Sequence, residues 1–171
     1  MVTLDPTRIG FDGDEPVIRP YSSDDFRWAL SLLDMTLGRY RVRRGRVVDV
    51  ATQPGLVAMR DGQSVGLVTL TRHRESLELS VLEAPAFDDE IVTLLIDAAR
   101  TYAGPSCRRI YSICSNAELD AQRALQVYGF RLAACRPGNI ESVRRRSTLP
   151  VTEFIGEVPV RDEFEFDWLL P

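Results

Sequence analysis

The sequence predicts an α+β fold: a mixed sheet of about six to seven strands with flanking helices. Alternating apolar residues at 55–60 and 64–72, on either side of an Asp61-Gly62 turn, are typical of a β-hairpin. Residues 77–83 have the pattern of a third consecutive strand, and apolar residues at helical spacing follow from residue 89. An antiparallel meander that leads into helical crossovers predicts a sheet with both antiparallel and parallel pairs.

The remaining elements fall within residues 17–171, which we expect to form one domain after a lead-in at residues 1–16. Ser22 and Asp25 have the spacing of a capping box, and Gly38 ends the helix that they begin. The other predicted elements are a strand at 17–21, helices at 24–37, 89–102 and 118–127, and strands at 109–115, 130–136 and 164–169. The basic segments 39–50 and 139–146 are not assigned to a helix or a strand.

Composition is that of an ordinary globular chain, with 44% hydrophobic and 27% charged residues. No apolar run approaches the roughly 18 residues of a membrane span, and the N-terminus lacks the layout of a signal peptide. The net charge of -4 argues against affinity for nucleic acid. Cys107, Cys114 and Cys135 lack metal-ligand spacing, and His73 is the only histidine. We therefore expect a cytoplasmic protein without a metal, a membrane or a nucleic-acid partner.

Several short motifs resemble, in their order, the GCN5-related N-acetyltransferase superfamily. Asn116, Ala121 and Gly129-Phe130 are similar to its asparagine–helix–Gly-Phe segment after the fifth strand. Stretches similar to one bacterial branch are Gly45-Arg46, Pro54-Gly55, Glu78-Leu79, Leu82-Glu83-Ala84 and residues 156–166. The resemblance covers residues 17–170. It implies acetyl transfer from acetyl-CoA to a small-molecule or protein amine by direct attack, and a possible homodimer.

The resemblance also implies site residues. Glu78 falls where several members carry a catalytic glutamate, and a carboxylate on a partly buried strand face suits a general base. Strand alternation places Glu78, Ser80 and Leu82 on one face and Glu83 out of phase with them. The alternative is that Glu78 is a surface charge paired with Arg72 or Arg74. For the donor, the resemblance implies backbone contacts from Leu82, Glu83 and Ala84, contacts at Asp89, Glu90 and Ile91, and a side-chain contact from Asn116.

Two departures from the family pattern are clear. The phosphate loop, which should fall near residues 85–92, has no glycine, although glycine is what lets the backbone approach a pyrophosphate. Asp88 can instead cap the following helix, and Asp89 and Glu90 would meet the pyrophosphate as like charges. This segment is either a weakened acyl-CoA site or an ordinary capped helix. In addition, Leu125 occupies the position of the family's tyrosine acid. Tyr128 is a candidate substitute, or else a core or surface tyrosine.

Two functions remain open at this point. The first is an acyl-CoA-dependent N-acyltransferase. The second is a catalytically inactive protein of the same fold that serves as a ligand-binding or protein-interaction module. The basic cluster at residues 39–46 is also open to two interpretations. It could bind an anionic substrate or the cofactor's 3′-phosphate, or it could form a solvated basic loop.

Overall fold

The computed structural model describes residues 15–171, except for the side chain of Phe87, so most of the predicted lead-in lies outside the described residues. The strands are β1 (Val17–Pro20), β2 (Tyr40–Arg43), β3 (Arg46–Asp49), β4 (Gly55–Arg60), β5 (Gln63–His73), β6 (Ser76–Glu83), β7 (Arg109–Ser115), β8 (Arg131–Arg136), β9 (Phe154–Ile155), β10 (Val158–Pro159) and β11 (Glu163–Leu169). The helices are α1 (Phe26–Asp34), α2 (Asp89–Ala103), α3 (Leu119–Tyr128) and α4 (Asn139–Arg144).

Seven strands form one sheet in the order β1-β4-β5-β6-β7-β11-β8. Its neighbouring pairs are antiparallel except for β6 and β7, which are parallel and joined through α2. The predicted mixed sheet is therefore confirmed, including its number of strands. The remaining strands form the separate hairpins β2–β3 and β9–β10. Within residues 15–171, no helix has the length and apolar character needed to cross a membrane.

The parallel pair opens at one end. Residues 76–79 of β6 pair with residues 109–112 of β7. Beyond that point β6 pairs only with β5, and β7 pairs with β11. No strand pairing joins residues 80–83 to residues 113–115 in the described part of the chain. We call the space between these two diverging segments the fork.

The two faces of the sheet are packed differently. One face carries α2 and α3 over a large apolar cluster that includes Leu77, Leu79 and Leu82. The other carries α1 over a smaller cluster that includes Val81. On the first face α2 lies very close to the strands, since a Cβ atom on Gly66 would stand 2.5 Å from the Ile91 side chain. This close approach holds the start of α2 beside the end of β6.

Three structured segments were not expected from the sequence: the hairpins β2–β3 and β9–β10 and the helix α4. The basic segment at 39–50 contains the hairpin β2–β3, whose turn residues Arg44 and Gly45 both have positive φ. The pair Arg-Gly is not among the usual residue pairs for a hairpin turn of this kind, so the turn was not recognised. The segment at 139–146 contains the short helix α4. The capping box at Ser22 was correctly predicted, because the Asp25 carboxylate accepts a hydrogen bond from the Ser22 backbone N–H at 2.9 Å.

Candidate active site

Glu78 is buried at the point where β6 and β7 diverge. Its Oε2 atom accepts a hydrogen bond from the Tyr111 hydroxyl at 3.0 Å and lies 3.6 Å from His73 Nε2. Its Oε1 atom lies 3.4 Å from Arg43 Nε. Burial and the adjacent Glu78 carboxylate raise the pKa of Tyr111, so the phenol remains a hydrogen-bond donor. The candidate base thus lies in a buried polar cluster, rather than at the surface or beside Arg72 or Arg74 as the alternative interpretation had it.

Glu83 faces the same side of the sheet as Glu78, which corrects the expectation from strict strand alternation. The register between β5 and β6 steps from Leu79 directly to Val81, so Ser80 is an extra residue. Such a β-bulge reverses the alternation beyond it. Leu82 therefore packs with the α2-side cluster, and Glu83 turns to the side where β2 lies.

A single guanidinium joins the two arms of the fork. Arg41, on β2, donates to Glu83 at 2.7 Å and to Glu118, just before α3, at 2.9 Å. The three side chains are 2%, 5% and 8% exposed, respectively. Glu118 also accepts from the Ser115 backbone N–H at 2.6 Å, which fixes it to the end of β7. We call Arg41, Glu83 and Glu118 the Arg41 clamp, because they tie β6 to β7 on the α1 side.

A second charged network covers the outer side of Tyr111. The guanidinium carbons of Arg44 and Arg109 lie 4.7 Å and 4.6 Å from the centre of the Tyr111 ring. Both arginines donate to Glu165, as does Arg136. Burial tends to raise the pKa of Glu165, but these hydrogen bonds outweigh it and hold the pKa at about 2. The basic segment at 39–46 is thus not a solvated loop. Arg41 and Arg44 are also not a free anion site, because each is paired with the protein's own carboxylates.

The start of α2 is capped by an acid, as the sequence predicted. Asp88 Oδ1 accepts hydrogen bonds from the backbone N–H groups of Glu90 at 3.0 Å and Ile91 at 3.3 Å. Arg60 pairs with Asp88 at 3.1 Å and with Glu90 at 2.5 Å. Two N–H groups that could have met a phosphate therefore already have a partner.

Asp89 also has a basic partner. Arg123 of α3 pairs with it at 3.0 Å, and the two side chains are 60% and 63% exposed. Three carboxylates at the start of α2 thus lie against two guanidinium groups, those of Arg60 and Arg123. The repulsion of a pyrophosphate expected from the acidic residues alone is largely offset, and both arginines lie where an anion could compete for them.

Comparisons with known proteins bear on this geometry. No protein-family model matches the sequence, and no curated protein matches it. Solved structures do match. An IAA acetyltransferase from Bacillus cereus has a TM-score of 0.68 at 16% identity, covering 91% of this chain and 100% of that one. A GNAT family acetyltransferase from Elizabethkingia anophelis with acetyl-CoA bound has a TM-score of 0.67 at 17% identity, covering 94% and 100%. A spermidine N-acetyltransferase mutant from Vibrio cholerae has a TM-score of 0.62 at 15% identity, covering 90% and 93%.

The chain has the GCN5-related N-acetyltransferase fold. The fold predicted from the sequence resemblance is therefore confirmed. The matches extend over nine-tenths of the chain or more.

Within this N-acetyltransferase fold, Asn116 lies at the end of β7, but its side chain is largely engaged. The amide nitrogen donates to the Pro159 carbonyl at 2.9 Å. The amide oxygen accepts from the backbone N–H groups of Arg161 at 2.9 Å and Asp162 at 3.0 Å. An asparagine amide offers two donors and two acceptor positions, so three of the four are used to hold the loop before β11. Its contact with a cofactor stays a prediction and would rely on the remaining N–H.

Tyr128 lies on the α2 side of the sheet. Its hydroxyl donates to Asp97 of α2, and its ring packs edge-on against Trp168 at 5.3 Å between centroids. Burial, followed by the hydrogen bond to Asp97, raises its pKa. Leu125, at the position of the family tyrosine, is fully buried. The role of Tyr128 as an acid stays a prediction, and its present contacts are structural.

A small cavity lies beside strand β2. A cavity of about 10 Å³ lies among Arg41, Arg43 and Ser115, which is room for about one water molecule. The residues that line this cavity do not include Glu78.

Sequence reasoning missed Arg41, Arg43, Tyr111 and Glu118 as members of the site. One signal was present, because residues 40–43 alternate arginine with bulky residues in the period of a strand. That pattern places Arg41 and Arg43 on the same face of β2, which is the face that meets the fork.

Proposed function

We propose that the chain is an acyl-CoA-dependent N-acyltransferase that transfers an acetyl group to an amine at the fork. The observation that carries this proposal is the position of Glu78, buried where β6 and β7 diverge and close to Tyr111. Acetyltransferases of the same fold, one with acetyl-CoA bound, support it. We expect the acceptor to be a small-molecule or protein amine, and spermidine N-acetyltransferase is one protein of this fold whose name specifies a small amine.

The residues of the fork suit the donor in part. Residues 80–83 of β6 have no strand partner on the β7 side, so their backbone can hydrogen-bond an extended pantetheine arm from Leu82 to Ala84. The start of α2 suits the pyrophosphate less well, because Asp88 occupies two of its N–H groups. Arg60 and Arg123 are the groups left to meet the phosphates.

Acetyl-CoA would supply the activated acetyl group as a thioester. The amine nitrogen forms a bond to the carbonyl carbon, and the carbon–sulfur bond breaks. Glu78 accepts the proton that the ammonium group loses, and its Oε1 atom is available because Tyr111 engages Oε2. The nitrogen loses its second proton as the amide forms, and this proton reaches the departing thiolate through water, since the Tyr128 hydroxyl donates to Asp97. If the Tyr128 hydroxyl leaves Asp97, it can instead donate a proton to the thiolate.

Donor binding should be weak. The pairs at the start of α2 are partly exposed, and exposed ion pairs contribute only about 0–1 kcal/mol each, so phosphates can exchange for the carboxylates at little cost. The exchange also adds little to the binding free energy, because a pair between an arginine and a phosphate replaces a pair between the same arginine and a carboxylate. We expect acetyl-CoA to bind with a dissociation constant above roughly 100 µM, which corresponds to about 5.5 kcal/mol.

A second candidate is a catalytically inactive protein that uses this fold as a ligand-binding or protein-interaction module. The Arg41 clamp favours it, because buried ion pairs close the fork on the acceptor side. Under this alternative, Glu78 and its partners are structural.

Calorimetric titration with acetyl-CoA separates the two candidates. The enzyme predicts weak, saturable binding that weakens further in the double variant Arg60→Gln with Arg123→Gln. Arg145→Gln is the matched control, because Arg145 is an exposed arginine in an ordinary pair with Glu141 on α4. The absence of binding heat at millimolar acetyl-CoA would favour the binding module. A low-micromolar dissociation constant would refute the weak grip on the donor and strengthen the enzyme.

A further inference from the structure

We propose that His73 is a catalytic base of the transfer reaction, which takes the proton from the acceptor's ammonium group while Glu78 holds the resulting imidazolium. This inference rests on the proposed function and adds one group to its proton step, between the acceptor and Glu78. Three observations carry it: the burial of Glu78, the short distance between the two side chains, and the exposure of the imidazole.

Glu78 is buried, so an acceptor amine in solution can reach only a small part of its surface. Its side chain is 10% exposed, and both of its oxygens face protein groups. The Tyr111 hydroxyl donates to Oε2 at 3.0 Å, and Arg43 Nε lies 3.4 Å from Oε1. A general base must lie within hydrogen-bond reach of the proton that it removes. An exposed neighbour that accepts the proton and keeps it beside Glu78 would extend the reach of the carboxylate.

His73, the last residue of β5, is such a neighbour. Its Nε2 atom lies 3.6 Å from Glu78 Oε2, which is ion-pair distance once the ring is protonated. Its ring stacks on Tyr111 with 6.3 Å between centroids and 29° between planes. The side chain is nevertheless 53% exposed. The imidazole therefore contacts the buried site on one side and solvent on the other, and no cavity is needed for an amine to meet it.

Other titratable or charged groups face His73 or the ring that it stacks on: Glu78 of β6, Tyr111 and Arg109 of β7, Arg44 of the β2–β3 turn, and Arg74 and Glu75 of its own turn. The charges of Arg44 and Arg109 are offset, because both arginines pair with Glu165. Arg74 and Glu75 are exposed and of opposite sign. The Glu78 carboxylate, at ion-pair distance, is thus the group that most favours a proton on the imidazole.

The proton step uses one lone pair of the ring. A neutral imidazole with its hydrogen on Nε2 directs that N–H toward Glu78 and keeps a lone pair on Nδ1. The ammonium group gives one proton to Nδ1, and the amine nitrogen then forms its bond to the thioester carbonyl carbon as the carbon–sulfur bond breaks. The imidazolium pairs with the Glu78 carboxylate until it returns the proton to solvent. A buried carboxylate that orients an imidazole base in this way is a recurring catalytic arrangement.

The pair can be tested without any substrate, because His73 is the only histidine in the chain. Its ring signals can be followed by NMR through a pH titration of the untagged protein. The ring should titrate at a lower pH in Glu78→Gln than in the wild-type chain, because no carboxylate then stabilises the imidazolium. Glu75→Gln removes an equal charge from the exposed turn and should have a smaller effect. Equal midpoints in the wild type and Glu78→Gln would overturn the inference, whether or not the chain transfers acyl groups.

The catalytic role is tested by CoA release from acetyl-CoA with a panel of small amines. His73→Gln should lower kcat/KM by about 10²-fold or more, and Glu75→Gln should leave it unchanged. In His73→Gly, added imidazole should restore the rate by roughly tenfold or more, above the reaction of imidazole with acetyl-CoA in the absence of protein. The same addition should restore nothing when Glu78→Gln is combined with His73→Gly. Thermal unfolding verifies that each variant is folded.

The outcomes separate this inference from the proposed function. If the wild type and His73→Gln transfer equally fast, the inference is overturned and N-acyl transfer with Glu78 as the base stands. If His73→Gly loses activity that imidazole does not restore, His73 is structural and the inference is overturned. If the wild type acetylates no acceptor, the proposed function is wrong and the catalytic role of His73 is wrong with it.

Discussion

Replacing Arg41 with methionine should be among the most destabilising single changes in the chain. Methionine has a comparable apolar stem, so the change removes the charge and the hydrogen bonds while keeping much of the volume. It would leave Glu83 and Glu118, which are 5% and 8% exposed, without their common partner. Burial already raises the pKa of Glu83 against the opposing effect of Arg41, so without Arg41 its ionised form becomes costly.

The magnitude follows from the burial of the clamp. Removing one partner of a buried ion pair typically costs about 3–5 kcal/mol, whereas an exposed pair contributes about 0–1 kcal/mol. Arg41→Met should therefore lower the free energy of unfolding by about 3–5 kcal/mol. That is a large fraction of the roughly 5–15 kcal/mol of an ordinary domain. Adding Glu83→Gln and Glu118→Gln should restore most of the loss, because no buried charge then lacks a partner.

Urea denaturation followed by tryptophan fluorescence measures these differences through Trp28 and Trp168. Arg123→Met is the matched control, since its pair with Asp89 is mostly exposed, and it should leave the urea midpoint nearly unchanged. Losses of similar size in the Arg41 and Arg123 variants would refute the argument that the clamp is a buried structural link across the fork.

Three other predictions concern charge and protonation. Asp89→Asn with Glu90→Gln should tighten acetyl-CoA binding at low salt, because Arg123 then lacks a charged partner and Arg60 keeps only Asp88; unchanged affinity in calorimetry would place the pyrophosphate elsewhere. Tyr128→Phe should lower the transfer rate less than threefold, because its hydroxyl donates to Asp97, and a loss of tenfold or more would identify Tyr128 as the acid. The pKa of Glu165 is lowered from 4.5 to about 2 on folding, so its contribution to stability is present above pH 4.5 and is lost as the pH falls toward 2. The urea midpoint should fall over that range, and Glu165→Gln should remove part of the fall.

Much of the fold could be predicted from local patterns. The turn Asp61-Gly62, the helical spacing after residue 89 and the strand at Arg109–Ser115 each depend on nearby residues, and each lies where it was expected. The acidic cap at Asp88 is of the same kind, because an N-cap interaction spans only three residues.

The site depended on features that a linear pattern does not contain. The bulge at Ser80 is set by the pairing of β6 with β5, and it moved Glu83 to the face of Glu78. The contacts of Arg41 with Glu83 and Glu118 join residues 42 and 77 positions apart, so no local period reveals them. Asn116 shows the same limit, because its residue type fitted the family motif while its hydrogen bonds go to a loop more than 40 residues later.

Transfer dependent on Glu78 is the most direct test of the account. CoA release would be followed at millimolar acetyl-CoA with a panel of small amines, comparing the wild-type chain with Glu78→Gln and with Glu75→Gln, an exposed glutamate in the preceding turn. The account predicts release that requires an acceptor, that falls by roughly 10²–10⁴ in Glu78→Gln, and that is unchanged in Glu75→Gln. Release that is absent with every acceptor, or that is as fast in Glu78→Gln as in the wild type, would contradict it.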